Sequence, residues 1–203
     1  MTEHTDGPAA RERAPRRLRV DAQRNVGSLL EAAKTVFATS GVDAPAKEIA
    51  DLAGVGVGTV YRHFPLRSDL ITAVLQRDVD ACVEAGPALS ATHEPGVALE
   101  QWILRYTGFV GTKRGLAAAL HSGDPAYDGL PAYFLRQLGP ALEALLDAAA
   151  AAGEIRTDIS ADDLLRAVAH LCHTAPGESV AYSQRMVAVL IDGLRYRAAP
   201  RHP

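Results

Sequence analysis

The residues best suited to chemistry lie in one short stretch, residues 49–64, which reads IADLAGVGVGTVYRHF. Thr59, Tyr61 and His63 stand at alternate positions there, and their hydroxyl and imidazole groups are donors suited to phosphate oxygens. Gly58 has no side chain, so another molecule can approach the backbone closely at that point. These residue types favour contact with the phosphates of a nucleic acid.

The elements that must position these groups are two short helices joined by a glycine turn. Lys47 to Ala53 supplies good helix formers, and Pro45 fits a first turn, where its missing N–H is no loss. Gly54 ends this helix because glycine adopts the left-handed conformation without steric cost. Val57 to Phe64 predicts a second helix about 12 Å long, which fits a B-DNA major groove about 12 Å wide.

The spacing of apolar residues predicts which sides of these helices are buried. Ile49 and Leu52 form the apolar side of the first helix, and Val55 is a buried residue of the turn. Val60 and Phe64, four residues apart, face the core. The exposed side of the second helix then carries Val57, Gly58, Thr59, Tyr61, Arg62 and His63. This helix-turn-helix pattern favours DNA binding, although such helix pairs also occur in proteins that bind no nucleic acid.

Amphipathic helices flank the pair. Asp21 can cap a helix that Gly41 ends, and its apolar positions follow the helical period: Val26, Leu29, Leu30, Ala33, Val36 and Phe37. After the pair, Ser68 and Asp69 open a long helix with Arg67 at its N-terminus, where a nearby phosphate is favoured. The four helices form one compact unit.

The residues of this unit closely resemble a known family. The matching runs are LEAAKTVF from Leu30, IADLAGV from Ile49 and GTVYRHFP from Gly58, together with Gly41, Arg67 and Leu70. They resemble the DNA-binding domain of TetR/AcrR-type bacterial transcriptional regulators over about residues 24 to 75. The resemblance implies an all-helical homodimer whose N-terminal domains bind a palindromic operator in double-stranded DNA and whose larger C-terminal domains bind small molecules.

The resemblance also implies individual DNA contacts. Thr59, Tyr61 and His63 would contact the operator backbone, and Lys47 and Arg67 would do so at the starts of their helices. Val57 and Gly58 would lie against base edges.

The chain departs from the family pattern in two places, which involve three positions. Family members often have Thr at or near position 45 and Ser-Lys at positions 56 and 57, where this chain has Pro45 and Gly56-Val57. The missing Lys removes one charge and one base contact, whereas Val57 can still touch a thymine methyl. The operator sequence therefore does not follow by analogy.

The charge distribution is uneven along the chain. Residues 1–67 hold ten Lys/Arg against eight Asp/Glu, whereas residues 68–203 hold eleven against sixteen. The first 20 residues are rich in charge, Pro and Gly, which predicts a disordered basic arm. That arm is either a DNA-contacting segment using Arg16, Arg17 and Arg19 or a solvated tail. Arg24, which follows it, is placed among the predicted DNA contacts.

The rest of the chain predicts helices only. Gly86 to Gly96 predicts a connector, residues 122–131 a loop, and Pro140 a kink or a restart. Ser160 and Asp163 match a capping box. Helices are predicted at 97–110, 114–120, 132–152, 160–174 and 178–196.

The predicted fold is all-α, with about nine helices. It comprises an N-terminal three-helix helix-turn-helix domain and a C-terminal helical domain for ligand binding and dimerisation. The predicted ranges are a disordered arm at 1–20, a DNA-binding domain at 21–66, a connecting helix at 67–85 and a C-terminal domain at 86–203.

The last two predicted helices carry apolar residues on more than one side, so one side can pack inward while another meets a partner. In the family that this chain resembles, such helices pair with their copies in a four-helix bundle. We therefore expect a homodimer through 160–174 and 178–196, and the alternative is a bundle within one chain.

An effector pocket is predicted in the C-terminal domain, largely apolar with a few polar anchors. Its candidate residues are Trp102, Tyr106, Phe109, His121, Tyr133, Phe134, His170 and His173. The expected effector is a small, largely apolar molecule that releases a repressor from DNA. The competing interpretation is a helical enzyme or metal-dependent protein that uses His121, His170 and His173, with the helix-turn-helix as scaffold.

Composition limits the other function classes. No paired carboxylates, nucleophile motif or phosphate-binding glycine loop is recognisable, so we expect no enzyme activity, cofactor or bound metal. Cys82 and Cys172 form neither a disulfide framework nor a metal set. Because no apolar run of about 18 residues and no signal-peptide pattern is present, we expect a cytoplasmic protein without membrane contact.

Overall fold

The computed structural model describes residues 9–172 and 180–196. Over these residues the chain forms nine α-helices, one 3₁₀ turn and no strand, which confirms the all-α class. The helices are α1 (Ala9–Ser40), α2 (Ala46–Ala53), α3 (Val57–His63), α4 (Arg67–Ser90), α5 (Pro95–Gly115), α6 (Ala117–Leu120), α7 (Leu130–Ala151), α8 (Ala161–Leu171) and α9 (Val180–Arg195). No helix in the described ranges is long and apolar enough to cross a membrane.

The first helix is longer than predicted. α1 begins at Ala9 instead of Asp21, so the prediction of a disordered arm is wrong for residues 9–20. The Ala, Arg, Glu and Leu residues of this segment are good helix formers, and extending a helix costs less than starting one. Residues 1–8 lie outside the described part of the chain.

The chain divides into two compact units, Met1–Val74 and Leu75–Pro203. The division falls inside α4 and not at the predicted boundaries after residues 66 and 85. α4 continues to Ser90 and α5 begins at Pro95, so the connector predicted at Gly86 to Gly96 is wrong at both ends and only residues 91–94 lie between the two helices. The helix continues through Pro87. The proline removes only one backbone donor, and its own carbonyl still accepts from Ala91 N at 3.0 Å.

The first unit has a small apolar core that includes Leu29, Phe37, Ile49, Val60 and Ile71. All five side chains are at most 3% exposed, and they come from all four helices of the unit. The structure therefore confirms the predicted helix-turn-helix domain as a packed unit with its own core.

One predicted core residue of α2 points outward. Leu52 is 56% exposed, whereas Ile49 and Ala50 are buried and Ala53 is half-buried. These three residues define the inward face, and at ~3.6 residues per turn Leu52 falls about 100° from its centre. Val55 and Phe64, also predicted to be buried, are half-buried.

The second unit packs around aromatic residues of α5. Trp102 is fully buried, and its indole Nε1 donates to the Cys82 carbonyl on α4 at 2.8 Å. The Tyr106 hydroxyl donates to the Leu165 carbonyl on α8 at 3.2 Å. These two bonds satisfy the polar ends of buried rings and tie α5 to its neighbours.

The helix predicted at 114–120 is wrong in its first part, because α5 extends to Gly115 and α6 covers only Ala117–Leu120. α7 is continuous through Pro140, which neither restarts nor ends it. The N-cap half of the predicted capping box is confirmed, because Ser160 Oγ accepts from Asp163 N at 3.1 Å, and the Asp163 carboxylate accepts from Ser160 Oγ at 2.7 Å. The predicted loop contains a 3₁₀ turn, Pro125–Tyr127, which Asp124 caps. The helix predicted at 160–174 corresponds to α8, Ala161–Leu171, and the last two predicted residues, 173–174, lie outside the described part of the chain.

Candidate nucleic-acid interface and effector cavity

The turn between α2 and α3 is built as the glycine pattern predicts. Gly54 has a φ of 68°, a left-handed conformation that a side chain would strain. Gly54 N donates to the Asp51 carbonyl at 3.2 Å, and Val55 N donates to the Ala50 carbonyl at 3.0 Å. These bonds satisfy carbonyls at the end of α2 and hold the start of α3 in a fixed direction.

α3 is anchored by one residue and exposes most of the others. Val60 is 2% exposed and packs into the core. Tyr61 and Val57 are 58% and 42% exposed, and Thr59 is half-buried. Exposed with them are Gly58, Arg62 and His63. The structure thus brings the predicted α3 residues together on one short helix.

Packing within the protein does not require a glycine at position 58. A Cβ built at this position meets no heavy atom within 4 Å. Its φ is not positive either, since the described glycines with positive φ are Gly41, Gly54, Gly123 and Gly153. The fold therefore tolerates a larger residue here, and the open space is available to a binding partner.

Lys47 lies in the first turn of α2 and is largely exposed. Its Nζ forms an ion pair with Asp51 Oδ2 at 2.6 Å, and the two side chains are 76% and 64% exposed. Such exposed pairs contribute little stability, so the pair can open at low cost when a phosphate approaches.

Arg67 is held within the first unit. Its Nη2 donates to the Ala44 carbonyl, and its guanidinium lies over the Phe37 ring at 5.5 Å. Its Nη1 is buried and has no hydrogen-bond partner among the described residues. Arg67 therefore links the start of α4 to the segment before α2. Arg24 lies in α1, where its side chain is outside the described part.

The second unit contains a cavity of about 370 Å³. The helices that enclose it each contribute residues at helical spacing, three or four apart along one face. Its lining residues are Tyr106, Phe109, Val110 and Lys113 on α5, Ala117 and Leu120 on α6 with His121, Pro131, Phe134 and Leu135 on α7, and Leu165, Arg166 and Ala169 on α8. Its volume lies in the usual range of small-molecule sites.

Four of the predicted pocket residues line this cavity: Tyr106, Phe109, His121 and Phe134. Three others do not line it. Trp102 is a buried residue of the core, Tyr133 is half-buried with its ring 6.0 Å from the Phe134 ring, and His170 is exposed. His173 lies outside the described residues.

Sequence reasoning missed the two cations of the cavity, Lys113 and Arg166. Lys113 follows Tyr106, Phe109 and Val110 at spacings of seven, four and three, so helical periodicity alone places it on the same face. Arg166 gave no such signal, because its place in the lining depends on how α8 packs in three dimensions.

Burial sets the electrostatics of this region. It lowers the pKa of Lys113, with no carboxylate opposing that effect. It raises the pKa of Tyr106, whose phenol is nearly enclosed. Tyr133 also has a raised pKa, first through burial and then through the negative charge of Asp80. In each case burial favours the neutral form of the group over its charged form.

Both units match known protein families. Residues 29–74 match the family described as bacterial regulatory proteins, tetR family. Residues 94–196 match the family described as transcriptional regulator SbtR-like, C-terminal domain. The chain belongs to the TetR family. Its first unit is the helix-turn-helix DNA-binding domain of that family of transcriptional regulators.

Solved TetR-family structures agree over almost their whole length. A TetR transcriptional regulator from Streptomyces coelicolor is 37% identical, with a TM-score of 0.73, and the match covers 85% of this chain and 99% of that one. A TetR transcription regulatory protein from Mycobacterium vanbaalenii is also 37% identical, with a TM-score of 0.68 and coverage of 88% and 99%.

Curated relatives match over a shorter range. HTH-type transcriptional regulators from Staphylococcus aureus strains are 42% identical over 64 residues. The match covers 31% of this chain and 35% of each relative, so the chain spans about a third of their length.

Membership of the TetR family identifies the chain as a transcriptional regulator and not an enzyme. The competing interpretation required His121, His170 and His173 to act together. His121 lines the cavity, where its Nδ1 lies 2.8 Å from the Ala117 carbonyl, whereas His170 is exposed and does not line it. Within the described ranges, no group of three His, Cys, Asp or Glu residues is placed to hold a metal.

Proposed function

We propose that this TetR-family protein is a ligand-responsive repressor that binds a palindromic operator as a homodimer. A small, largely apolar effector in the cavity of the second unit releases it. The observation that supports DNA recognition most directly is α3, which is anchored by Val60 and leaves its polar groups and Gly58 open to a partner. Such a protein acts in the cytoplasm, where bacterial operators lie.

The DNA contacts divide into two classes. Thr59, Tyr61 and His63 donate to backbone phosphates, which positions α3 in the major groove without reading sequence. Val57 and Gly58 lie against base edges, where a valine methyl can contact a thymine methyl.

Three basic residues complete the interface. Lys47 exchanges its ion pair with Asp51 for a phosphate. Arg24 adds a contact from α1. Arg67 acts mainly as a positioning residue, because its guanidinium already contacts Ala44 and Phe37.

The function is tested by titrating DNA from upstream of the gene against DNA of random sequence in a gel-shift assay. We expect tighter binding to the upstream DNA and a steep loss of affinity with added salt, because phosphate contacts release counterions. Equal affinity for both DNAs, without salt dependence, would falsify the proposal.

The Tyr61→Ala variant tests the phosphate contacts. It is expected to weaken binding to all DNA sequences about tenfold, because a phosphate contact carries no sequence information. Folding stability should change by less than about 0.5 kcal/mol, since Tyr61 is 58% exposed. Tyr61→Phe, which removes only the hydroxyl, is the matched control and should reproduce most of the loss. A Tyr61→Ala protein that binds as tightly as the parent would remove the contact from the proposal.

The surface of α9 supports the homodimer. One side of this helix is buried and includes Val187, Ile191 and Leu194. The other side continues an apolar stripe through Tyr182 and Val189, which are 40% and 63% exposed, and through half-buried Met186. An apolar stripe that the protein's own core does not cover suits pairing with a second copy.

A Val189→Asp substitution tests this pairing. A charge in an apolar interface has no partner, so we expect a monomer in sedimentation or light scattering and a loss of operator affinity of at least ~100-fold. Ala188→Asp, an exposed position one residue away on another side of α9, is the control and should stay dimeric. If both variants stay dimeric, the interface lies elsewhere.

The proposed effector acts by coupling the cavity to the DNA-binding domains. A bound molecule contacts Tyr106, whose hydroxyl joins α5 to α8, and so favours one arrangement of these helices. In a two-fold dimer the recognition helices must lie about 34–36 Å apart to reach successive major grooves. An effector that changes this separation weakens operator binding, typically by ~1–3 kcal/mol.

A further inference from the structure

We propose that the effector is an amphipathic anion, with an apolar body in the aromatic part of the cavity and a carboxylate or phosphate head between Lys113 and Arg166. This inference rests on the proposed effector role of the cavity, and it names the chemical class that the cavity would select.

The apolar body is matched by one wall of the cavity. Phe109 and Phe134 meet edge to face, with ring centroids 5.0 Å apart, and Tyr106 lies 5.9 Å from Phe109. All three rings line the cavity. Such a wall contributes binding energy through burial of apolar surface but does not distinguish one end of a ligand from the other.

Lys113 adds a charged group to one end of this apolar wall. It lies one helical turn beyond Phe109 and Val110 on α5, and its Nζ is 5.4 Å from the centroid of Phe134. An ammonium group is therefore present at the edge of the aromatic wall. Arg166 adds a guanidinium to the same cavity from α8, and a guanidinium binds carboxylate or phosphate oxygens in a bidentate manner.

The cavity has no internal counter-charge for these groups. Its lining residues include no Asp or Glu. Neither Lys113 nor Arg166 takes part in the ion pairs that join Lys47 to Asp51, Arg156 to Asp158, and Arg195 to Glu100 and Asp192. The lining thus offers two cations, half-buried Lys113 and exposed Arg166, and no residue of opposite charge.

Burial makes this arrangement costly for Lys113. The residue is half-buried, and loss of hydration alone lowers its pKa. A partly buried cation without a counter-charge is unfavourable, and an anionic ligand reduces that penalty by supplying the missing charge. A neutral or cationic ligand of the same shape does not.

A matched ligand series tests the charge preference. The full-length protein is titrated with naphthylacetate, naphthyl phosphate, naphthylethanol and naphthylethylamine, and binding is followed by calorimetry. We expect at least one anion to bind about tenfold tighter than the alcohol, and the amine to bind weakest. The two anions distinguish a carboxylate head from a phosphate head. Equal or tighter binding of the alcohol, or no binding of either anion, overturns the proposal.

Variants locate the head group. Lys113→Met and Arg166→Met remove each charge while keeping much of the side-chain length, and each should weaken the anion about tenfold while alcohol affinity stays within about twofold. Arg105→Met is the control, because Arg105 is an exposed residue of α5 outside this cavity. If neither cavity variant changes the ratio of anion to alcohol affinity, the anion does not bind between these cations.

Operator binding is measured on the same samples, which separates the two proposals. Anion binding that depends on Lys113 and Arg166, without operator binding by the parent, supports the ligand class and contradicts the repressor. Operator binding by the parent with no preference for the anions contradicts the ligand class and leaves the repressor standing.

Discussion

In the proposed DNA-binding surface, the residue that packs the helix and the residues that contact a partner are different, whereas in the effector cavity the same residues do both. On α3 the residue that anchors the helix, Val60, is not one of the residues that face outward, such as Tyr61 and Gly58. In the cavity, Phe109 and Phe134 line the empty space and are also core residues, 4% and 5% exposed.

This difference has a consequence for mutation. Substitutions on α3 can change binding while folding is unaffected, because exposed side chains contribute little to stability. Substitutions of the cavity wall change packing and ligand contacts together, because the same atoms serve both. The first region can therefore change its DNA target more freely than the second can change its ligand.

Phe134→Ala is expected to have the largest effect. It removes a ring that contacts Phe109 and Tyr133 and is 5% exposed, so we expect a loss of about 3 kcal/mol in the free energy of unfolding, measured in urea. Phe134→Leu, which keeps most of the apolar volume, should lose less than half as much. A Phe134→Ala protein as stable as Tyr61→Ala would remove the contrast between the two regions.

Local signals explain why the helix-turn-helix could be predicted from the sequence. Gly54 ends α2 in the expected left-handed conformation, and Val60 anchors α3, because both depend on residues only a few positions away. Leu52 shows the limit of that logic. Its spacing fits an apolar face, but in a helix of eight residues the inward direction is set by neighbouring helices.

The cavity could be predicted only in part, for the same reason. Tyr106, Phe109 and Phe134 were found because aromatic residues on amphipathic helices usually point inward. Trp102 was misplaced because sequence does not separate a ring that fills the core from one that borders a space. Arg166 has no such signal, because its place in the lining depends on how α8 packs against helices that are distant from it in the sequence.

Gly58→Ala sharpens the comparison because its two effects have opposite signs. Alanine is the better helix former and its Cβ meets no atom within 4 Å, so the unfolding free energy should rise by about 0.5 kcal/mol. Operator affinity should fall about tenfold, because the added methyl keeps α3 from the base edges. Gly108→Ala on α5, where an added Cβ is equally unobstructed, is the control and should add stability without changing affinity. Unchanged operator affinity of the Gly58→Ala protein would show that no partner approaches there.

Asp51→Asn has the smallest expected effect, and it tests whether the exposed ion pair competes with DNA. Removing the carboxylate frees Lys47, so operator affinity at low salt should rise about threefold, while stability changes by less than about 0.5 kcal/mol. Loss of an acidic group near DNA would raise affinity even if Lys47 made no contact, so the substitution is repeated in a Lys47→Met background. If Lys47 binds phosphate, the gain shrinks there, because no lysine remains to be released. An equal gain in both backgrounds would mean that Asp51 acts by simple repulsion and that Lys47 does not contact the operator.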